Sequence, residues 1–339
     1  MIRDALGKLL DGRPLDRAQA REVMDEIMSG GATPAQIGGF LVALRLKGET
    51  PDEIAGFAEA IRGRGVSVSP KRTDLVDTAG TGGDGQATIN ISTAAALVAA
   101  AAGAAVAKHG NRAVSSASGS ADVLEALGFS LDLPADRIEA SIDELGFGFL
   151  FAPTHNPGFR HAAPVRKELA ARTVFNVLGP LTNPAGARAQ IVGVYDARLV
   201  RTIAEVLVRL DARRAFVVHG AHGVDELSPA GENLVCEVVD GEIHERTIDP
   251  LELGVPRCAS EELRGGSPAE NADAIRAVFS GEDRGAKRDA ILLNAAGAIA
   301  AGGHAADLRE GLGVARRTVD SGAAAERLEA LVGFSRGGG

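Results

Sequence analysis

The sequence contains few cysteines and few aromatic residues. Among its 339 residues there are two cysteines, Cys236 and Cys258, one tyrosine and no tryptophan. Two thiols so far apart in the chain form neither a disulfide framework nor a cysteine-rich zinc site, because both need clustered cysteines. A reduced compartment is the simplest setting for such a chain, and we expect it to be the cytoplasm.

Excess basic charge and long apolar runs are also missing. The formal net charge is −9, so the chain has no overall positive charge with which to bind nucleic acid or an anionic membrane surface. The most apolar run, 94–107, contains Gly103 and is too short to span a bilayer. The first ten residues, MIRDALGKLL, lack the apolar centre of a signal peptide. We therefore expect neither nucleic acid nor a membrane as a partner.

Small and aliphatic residues are abundant instead. Hydrophobic residues make up 45% of the chain and glycine contributes 43 residues, which is typical of α/β enzymes, and the length suits two domains. Residues 1–62 show apolar side chains at helical spacing, and Thr33-Pro34 and Thr50-Pro51 each place a capping residue before a first-turn proline. These features predict a helical domain over 1–72, ending in the glycine- and serine-containing linker 63–73.

From residue 74 onward, short apolar strands alternate with helices. The predicted strands are 75–78, 104–107, 149–152, 190–195 and 215–219, and the predicted helices are 93–102, 121–127, 135–145, 197–210, 270–279, 286–301 and 321–331. The alternation predicts an α/β fold with a mainly parallel sheet covered by helices, over 73–165 and 190–339. The segment 166–189 breaks the alternation, and we expect it to return to the helical domain. Ligands of such sheets bind beyond the carboxyl ends of the strands.

The loop after the first predicted strand is a candidate phosphate site. Residues 79–93, AGTGGDGQATINIST, contain four glycines before Ser92 and Thr93, which open an alanine-rich helix. Glycine lets backbone N–H groups approach a ligand, and a helix start adds unpaired donors. The spacing matches neither the Walker loop nor the dinucleotide fingerprint, and ordinary glycine-rich turns look similar. This loop alone therefore leaves phosphate binding open.

Two further loops carry charged residues. Residues 108–128, KHGNRAVSSASGSADVLEALG, place a lysine, an arginine and four serines between a strand and a helix, with Ser120 in the position of an N-cap. Residues 220–229, GAHGVDELSP, carry the adjacent acids Asp225 and Glu226. Adjacent acids are usually solvated, but beside an anion site they would repel a polyphosphate unless Mg²⁺ lay between them.

Several basic residues follow in 151–183. An arginine fork holds a planar carboxylate by two hydrogen bonds, which makes Arg160 and Arg166 candidates for such a contact. For Lys167 and Arg172 we expect a solvated helix face.

The ordered set of segments resembles the anthranilate phosphoribosyltransferase family, whose fold is that of the nucleoside phosphorylases. The matching segments are GTGGD at 80–84, TINIST at 88–93, KHGNR at 108–112, SSASGSADVLEALG at 115–128, FNVLGPLTNP at 175–184, HGVDELSP at 222–229 and ILLNAAGAIAAG at 291–302. The resemblance extends over nearly the whole chain.

The resemblance implies a Mg²⁺-dependent transfer of the phosphoribosyl group of phosphoribosyl diphosphate (PRPP) to the amino nitrogen of anthranilate, in tryptophan biosynthesis. It implies small-molecule substrates, no covalent nucleophile, and a homodimer formed through the helical domain. The residues that it assigns to PRPP are Gly80, Gly83, Asp84, Thr88, Asn90, Ile91, Ser92, Thr93, Lys108, Ser115, Ser116 and Ser120. It assigns Gly80, Asn111 and Arg166 to anthranilate, with Arg166 facing the carboxylate, and Ser92, Asp225 and Glu226 to magnesium.

One segment departs from the family pattern. Asn156 stands where a histidine usually precedes Pro157, and Gly158-Phe159 replace a usual Ala-Met. By resemblance, this segment borders the aromatic substrate.

Two alternatives stay open. A pyrimidine nucleoside phosphorylase would share the fold and a phosphate loop, but should lack the acid pair and KHGNR. A non-catalytic relative that binds nucleic acid should have a basic groove, which a net charge of −9 disfavours.

Overall fold

The structure is a computed structural model that describes residues 1–113 and 117–337. The chain begins with four helices, α1 (Ile2–Leu10), α2 (Arg17–Met28), α3 (Pro34–Lys47) and α4 (Pro51–Arg64). Thr33 and Thr50 cap α3 and α4 as the sequence predicts, and each hydroxyl accepts a hydrogen bond from the backbone N–H three residues later. Helices α1 and α3 pack together, as do α2 and α4.

The remaining chain alternates between strands and helices. In order, the elements are β1 (Leu75–Gly80), α5 (Ile91–Ala101), β2 (Ala105–Gly110), α6 (Ser120–Ala126), α7 (Ala135–Leu145), β3 (Phe147–Phe151), α8 (Ala152–His155), α9 (Ala163–Leu169), α10 (Phe175–Leu178), β4 (Ala189–Gly193), α11 (Arg198–Arg209), β5 (Arg214–His219), β6 (Asn233–Val239), β7 (Glu242–Ile248), α12 (Pro268–Ser280), α13 (Ala286–Ala301), α14 (Leu308–Asp320) and α15 (Ala323–Ser335). None of the described helices combines the length and the hydropathy that a membrane span requires.

The described strands form one sheet in the order β3-β2-β1-β4-β5-β6-β7. The pairs among β1 to β5 are parallel, whereas β6 and β7 add an antiparallel edge. The predicted fold class, a small all-helical domain with a larger α/β domain around a mainly parallel sheet, is confirmed.

Some elements were missed by the sequence-based prediction. The strands β6 and β7 are joined at Asp240 and Gly241, which both have positive φ values, of 48° and 86°. An Asp-Gly pair between two runs of alternating residues is the usual signal of such a hairpin. Helix α14 was also missed, and its start is capped by the Asp307 carboxylate, which accepts from the Glu310 N–H.

The apolar residues of the sheet divide between its two faces. Ile191 and Phe216 pack in one cluster with α5 and α13, while their neighbours Val192 and Val217 pack in a second cluster on the other face, as expected from the two-residue period of strands. The second cluster also contains the apolar residues of α1 to α4 and α11. The helical bundle therefore lies on the side of the sheet opposite α5 and α13, where α4 packs against α11 and α11 packs on β5 and β6.

The segment 166–189, which we call the return segment, contacts the helical bundle. Within it and at its start, α9 packs against α3, and α10 packs against α4. Phe175 and Leu178 of α10 belong to the same apolar cluster as Phe40 and Phe57 of the bundle. The domain boundaries drawn from the sequence stay a prediction.

The carboxyl ends of β1 and β4 are adjacent and both end in glycine. Gly80 pairs with Gly193, and a Cβ on Gly193 would overlap the backbone carbonyl of Asp225. A Cβ on Gly80 would collide with the Asp225 carboxylate. Glycine at both strand ends is therefore what allows the loop after β5 to lie on this edge of the sheet.

We expect Gly193→Ala to destabilise the protein by about 3 kcal/mol or more, because the added methyl overlaps backbone atoms that cannot rotate away. Gly333→Ala on α15, where no atom lies within 4 Å of the new methyl, should instead stabilise the chain by about 0.5–1 kcal/mol. Urea unfolding followed by circular dichroism compares the two variants. Equal stability of the two variants would refute the close approach.

Candidate active site

The glycine loop, residues 80–86, lies at the carboxyl edge of the sheet. Gly82, Gly83 and Gly85 have φ values of 67°, 72° and 77°, a region that only glycine adopts without strain. The Thr81 N–H donates to the Gly193 carbonyl at 2.9 Å, and the Thr81 hydroxyl accepts from the Tyr195 N–H at 3.1 Å. The loop is thus anchored to the chain that follows β4.

The acid loop, residues 220–229 after β5, contacts the glycine loop and the start of α5. Asp225 Oδ2 accepts from the Gly82 N–H at 2.6 Å, and Glu226 Oε1 accepts from the Ser92 N–H at 3.0 Å. The Asp225 N–H points to Asp84 Oδ2 at 3.4 Å. Two loops and the first turn of α5 therefore bring Asp84, Ser92, Asp225 and Glu226 together.

The carboxylates of this cluster are unfavourably placed as anions. Burial raises the pKa of Asp225, and the neighbouring Asp84 raises it further. Burial and Asp225 likewise raise the pKa of Glu226 well above its ordinary value. Glu226 Oε2 is inaccessible to solvent and has no hydrogen-bond partner among the described residues. The cluster thus has an excess of negative charge and an unsatisfied acceptor.

The donor set fits a hard divalent cation that takes only part of its coordination from protein. Among the described residues, no three His, Cys, Asp or Glu side chains form a metal-binding group. Two carboxylates, an unsatisfied Glu226 oxygen and the nearby Ser92 match Mg²⁺, which commonly takes one or two carboxylates and completes its shell with water and phosphate.

Lys108 lies under this edge of the sheet. The residue is 1% exposed, and its ammonium group donates to the carbonyl and the hydroxyl of Thr78 at the end of β1. Burial lowers the pKa of Lys108 to about 8, against the opposing influence of Asp77 and Glu226. A buried cation thus lies close to the acid cluster.

Other residues assigned to PRPP by resemblance make contacts within the protein. The Asn90 side chain bonds with the Ser118 carbonyl, the Ser118 hydroxyl and the Asn271 amide. Ile91 and Thr93 are buried in the first turn of α5, and the Thr93 hydroxyl lacks a partner among the described residues. These contacts fix the loop and the helix start.

The remaining PRPP assignments lie on the loops. Gly80 and Gly83 belong to the glycine loop, and Thr88 forms an isolated β-bridge with Arg264. Ser115 and Ser116 lie outside the described residues.

The predicted N-cap at Ser120 is wrong. The cap of α6 is Gly119, and the Asp122 carboxylate accepts from its N–H at 2.9 Å. The Ser120 hydroxyl instead donates to the Asn111 carbonyl at 3.2 Å. Ser120 therefore ties the KHGNR loop to α6.

Of the three residues assigned to anthranilate, Gly80 adjoins the Asp225 carboxylate, whereas Arg166 and Asn111 make other contacts. The Arg166 guanidinium lies 5.2 Å from the ring centre of Phe175, and burial lowers its pKa. Among the described residues no carboxylate lies within ion-pairing distance of it. Asn111 is exposed, and its side-chain oxygen accepts from the Arg112 N–H at 2.7 Å. No contact among the described residues joins Arg166 or Asn111 to the acid loop.

Arg172 has more contacts than the sequence predicts. It is exposed, as expected, but its guanidinium donates to the Gly83 carbonyl and lies 4.0 Å from the ring centre of Tyr195. Lys167 is exposed and makes no such contact with the part of the chain that the structure describes. Arg172 therefore connects the return segment to the glycine loop.

Two asparagines support the site although the sequence analysis assigned them no role. Asn294 on α13 donates to and accepts from the backbone of Leu227, which holds the acid loop. Asn183 donates to the buried Asp77 carboxylate at 2.7 Å. The available signal for Asn294 was a single amide within the apolar run ILLNAAGAIAAG.

Comparison with known proteins gives matches over nearly the whole chain. A model described as the helical bundle domain of a glycosyl transferase family matches residues 3–65, and one described as its a/b domain matches residues 72–325. The chain is 55% identical to the anthranilate phosphoribosyltransferase of Anaeromyxobacter dehalogenans strain 2CP-C, over 98% of both chains.

Solved structures agree with these matches. The crystal structure of anthranilate phosphoribosyltransferase from Thermus thermophilus is 49% identical, with a TM-score of 0.94 over 98% of this chain and 99% of that one. The enzyme from Saccharomyces cerevisiae in complex with PRPP and Mg is 28% identical, with a TM-score of 0.90 over 99% of this chain and 98% of that one. The yeast enzyme is also known in complex with 4-fluoroanthranilate.

We expect Glu226→Gln to stabilise the protein at neutral pH in the presence of a chelator. Because the pKa of Glu226 is raised in the folded state, the folded chain is destabilised by ionisation, and this penalty disappears below the ordinary glutamate pKa. The gain should grow as the pH rises above the ordinary glutamate pKa and should fall towards zero near about pH 4.

Thermal unfolding at several pH values measures this difference. Glu282→Gln, at an exposed acid, is the matched control and should change stability little at any pH. A Glu226→Gln variant that is no more stable than the wild type near pH 8 would contradict the charge excess.

Proposed function

The chain belongs to the anthranilate phosphoribosyltransferase family, and from this premise we propose that it transfers the phosphoribosyl group of PRPP to the amino nitrogen of anthranilate. The products are N-(5-phosphoribosyl)anthranilate and diphosphate, and the place of the reaction is L-tryptophan biosynthesis. The observation that carries the proposal is the position of Asp225 and Glu226 against the glycine loop and the start of α5.

The half of the site that we assign to PRPP, the phosphoribosyl donor, suits a diphosphate leaving group. As diphosphate departs, C1 of the ribosyl group gains oxocarbenium character, so catalysis needs stabilisation of the leaving group's charge and a positioned amine. The N–H groups of the glycine loop and the helix start are suitable donors. The Gly82 N–H, which donates to Asp225, is the donor that we assign to a phosphate oxygen.

Mg²⁺ fits the acid cluster. We assign its protein ligands to Asp225, Glu226 and Ser92, since Glu226 Oε2 is an unsatisfied acceptor there. When bound, the ion supplies the positive charge that offsets repulsion between the carboxylates and a diphosphate. The yeast relative in complex with PRPP and Mg supports this assignment.

The acceptor half of the site centres on Arg166. Its partly buried guanidinium has no carboxylate partner among the described residues, and burial lowers its pKa. A planar carboxylate such as that of anthranilate would offset this desolvation through two parallel hydrogen bonds. Asn111 and Gly80 are the further residues that we assign to anthranilate. The yeast relative in complex with 4-fluoroanthranilate supports an aromatic acceptor.

We also propose a homodimer formed through the helical domain. Leu10 on α1 and Val42 and Leu46 on α3 are large apolar residues that are 73%, 44% and 83% exposed. Exposed apolar side chains grouped on neighbouring helices are typical of an interface. Sedimentation of the wild type and of a Leu46→Glu variant would test this surface, and a wild type that sediments as a monomer would refute it.

We also propose a division into two domains and a cellular location. Packing of α9 against α3 and of α10 against α4 supports a helical domain of 1–72 with 166–189, beside an α/β domain of 73–165 and 190–339. A cytoplasmic location is supported by two free thiols, Cys236 and Cys258.

The deciding experiment follows anthranilate fluorescence with purified protein and PRPP, with and without Mg²⁺. We expect the fluorescence to be lost only when PRPP and Mg²⁺ are both present, and mass spectrometry should identify phosphoribosylanthranilate. If anthranilate is not consumed, the proposed reaction is wrong, and phosphorolysis of thymidine or uridine is the next activity to measure.

We expect Arg166→Ala to raise the KM for anthranilate by about tenfold to a hundredfold, because a charge-assisted contact to the carboxylate is lost. The KM for PRPP should stay within about twofold of the wild type. Lys167→Ala, which removes an exposed positive charge next to Arg166, is the matched control and should leave both constants unchanged. Steady-state kinetics with each substrate varied in turn gives the comparison. An unchanged KM for anthranilate in Arg166→Ala would remove Arg166 from the acceptor site.

A further inference from the structure

We propose that Asn156 is a positioning residue, whose amide N–H, donated to His109 Nε2, keeps that ring turned so that its Nδ1–H holds the Gly179 carbonyl. His109 belongs to KHGNR at the end of β2, and Gly179 directly follows α10. The first residue of α10, Phe175, contacts Arg166. The effect on anthranilate rests on the proposed function, whereas the hydrogen-bond pattern does not.

The contacts of the His109 ring define its protonation. Nδ1 lies 3.1 Å from the Gly179 carbonyl oxygen, and Nε2 lies 3.2 Å from Asn156 Nδ2. A carbonyl only accepts, so Nδ1 must carry the hydrogen. The ring is 7% exposed, and burial lowers the pKa of His109 to about 4. A neutral ring with hydrogen on Nδ1 has a lone pair on Nε2, which accepts from the amide.

A second contact fixes the orientation of the Asn156 amide. Its Nδ2 also lies 3.4 Å from the Thr182 carbonyl oxygen. A flipped amide would place its oxygen against this carbonyl and would remove the donor from His109 Nε2. The nitrogen therefore faces His109 and Thr182, and the oxygen faces away from both.

The opposite end of the amide makes no hydrogen bond among the described residues. Asn156 is 2% exposed, and its Oδ1 is a buried acceptor without a partner. This oxygen faces Gly65, where an added Cβ would lie 2.9 Å away. If packing alone decided the residue, an apolar side chain would suit the position better. The donor to His109 is what accounts for a polar side chain here.

The residue before Asn156, His155, is hydrogen-bonded to the linker 63–73 between the helical bundle and β1. The Val66 N–H donates to the His155 carbonyl at 2.7 Å, and the His155 ring nitrogen Nδ1 donates to the Val66 carbonyl at 3.0 Å. Asn156 thus lies between this linker and the His109 ring. The His109 backbone has its own anchor, since its N–H donates to Asp77 Oδ1 at 3.1 Å. A change at Asn156 therefore acts on the ring and leaves this anchor in place.

The first test measures the ring nitrogens of His109 by ¹⁵N NMR in the full-length protein. In the wild type we expect hydrogen on Nδ1 and a free lone pair on Nε2 throughout the neutral range. The charged or titratable groups around the ring are Asp77, Lys108, His155 and Arg62, of which the last three disfavour its protonation. Hydrogen on Nε2 in the wild type would overturn the proposal.

The Asn156→Asp variant provides a second NMR test of the same hydrogen bond. A carboxylate has no hydrogen to donate to Nε2, and its charge favours a proton there. We expect His109 in this variant to take up a proton within the range from about pH 5 to about pH 8, where the wild-type ring stays neutral. An unaltered His109 spectrum would overturn the proposal.

The second test separates positioning from stability. Asn156→Leu removes the donor at similar size, and we expect the KM for anthranilate to rise by about tenfold while the KM for PRPP stays within about twofold, the effect of one buried hydrogen bond. Asn156→His keeps an N–H group, and its KM for anthranilate should stay within about threefold of that of the wild type. An unchanged KM for anthranilate in Asn156→Leu would overturn the proposal.

His155→Phe is the matched control. It removes a buried hydrogen bond from the neighbouring residue and leaves the partners of His109 in place, so both Michaelis constants should stay as in the wild type, and His109 at neutral pH should stay neutral with hydrogen on Nδ1. A rise in the KM for anthranilate equal to that of Asn156→Leu would overturn a specific role for Asn156. If the wild type consumes no anthranilate, the proposed function fails, while the NMR test still decides the role of Asn156.

Discussion

The site depends on the close approach of the acid loop to the ends of β1 and β4. Both strands end in glycine, and neither Gly80 nor Gly193 could carry a side chain without overlapping Asp225. This approach places the Asp225 carboxylate on the Gly82 N–H and the Glu226 carboxylate on the Ser92 N–H. Parallel strands end at one edge of the sheet. The contacts of the acid loop at this edge therefore align the glycine loop and the start of α5 with it.

Buried charged side chains near this contact lack ion-pair partners among the described residues, which favours binding of oppositely charged ligands. Burial and neighbouring carboxylates raise the pKa values of Asp225 and Glu226, while burial lowers the pKa of Arg166, which has no described carboxylate near it. A cation bound at the acids and a carboxylate bound at the arginine would each remove a desolvation cost. Under the proposed function, the same features that destabilise the free protein would favour binding of Mg²⁺, a diphosphate and an aromatic acid.

The two halves of the site are connected through the return segment and the linker. Arg172 reaches from the return segment to the Gly83 carbonyl, and Asn156 connects the linker side to His109. Both contacts are made by side chains outside helices and strands, on the chain between β3 and β4, whose helices α9 and α10 pack against the helical bundle. Under the proposed function, positioning of the acceptor relative to the phosphoribosyl donor would thus depend on how the bundle packs against the α/β domain.

The sequence by itself determined the fold class and the capped helices α3 and α4, and it indicated the glycine loop, KHGNR and the acid pair as candidate parts of the site. These features depend on local preferences and on the rule that parallel strands end at a common edge. Only the tertiary structure decided that Arg172 bonds with Gly83, 89 residues away, that Asn183 bonds with Asp77, 106 residues away, and that Asn156 donates to His109, 47 residues away. Such pairs leave no periodic pattern in the chain, because their geometry is set by how distant elements pack and by where buried polar groups find partners.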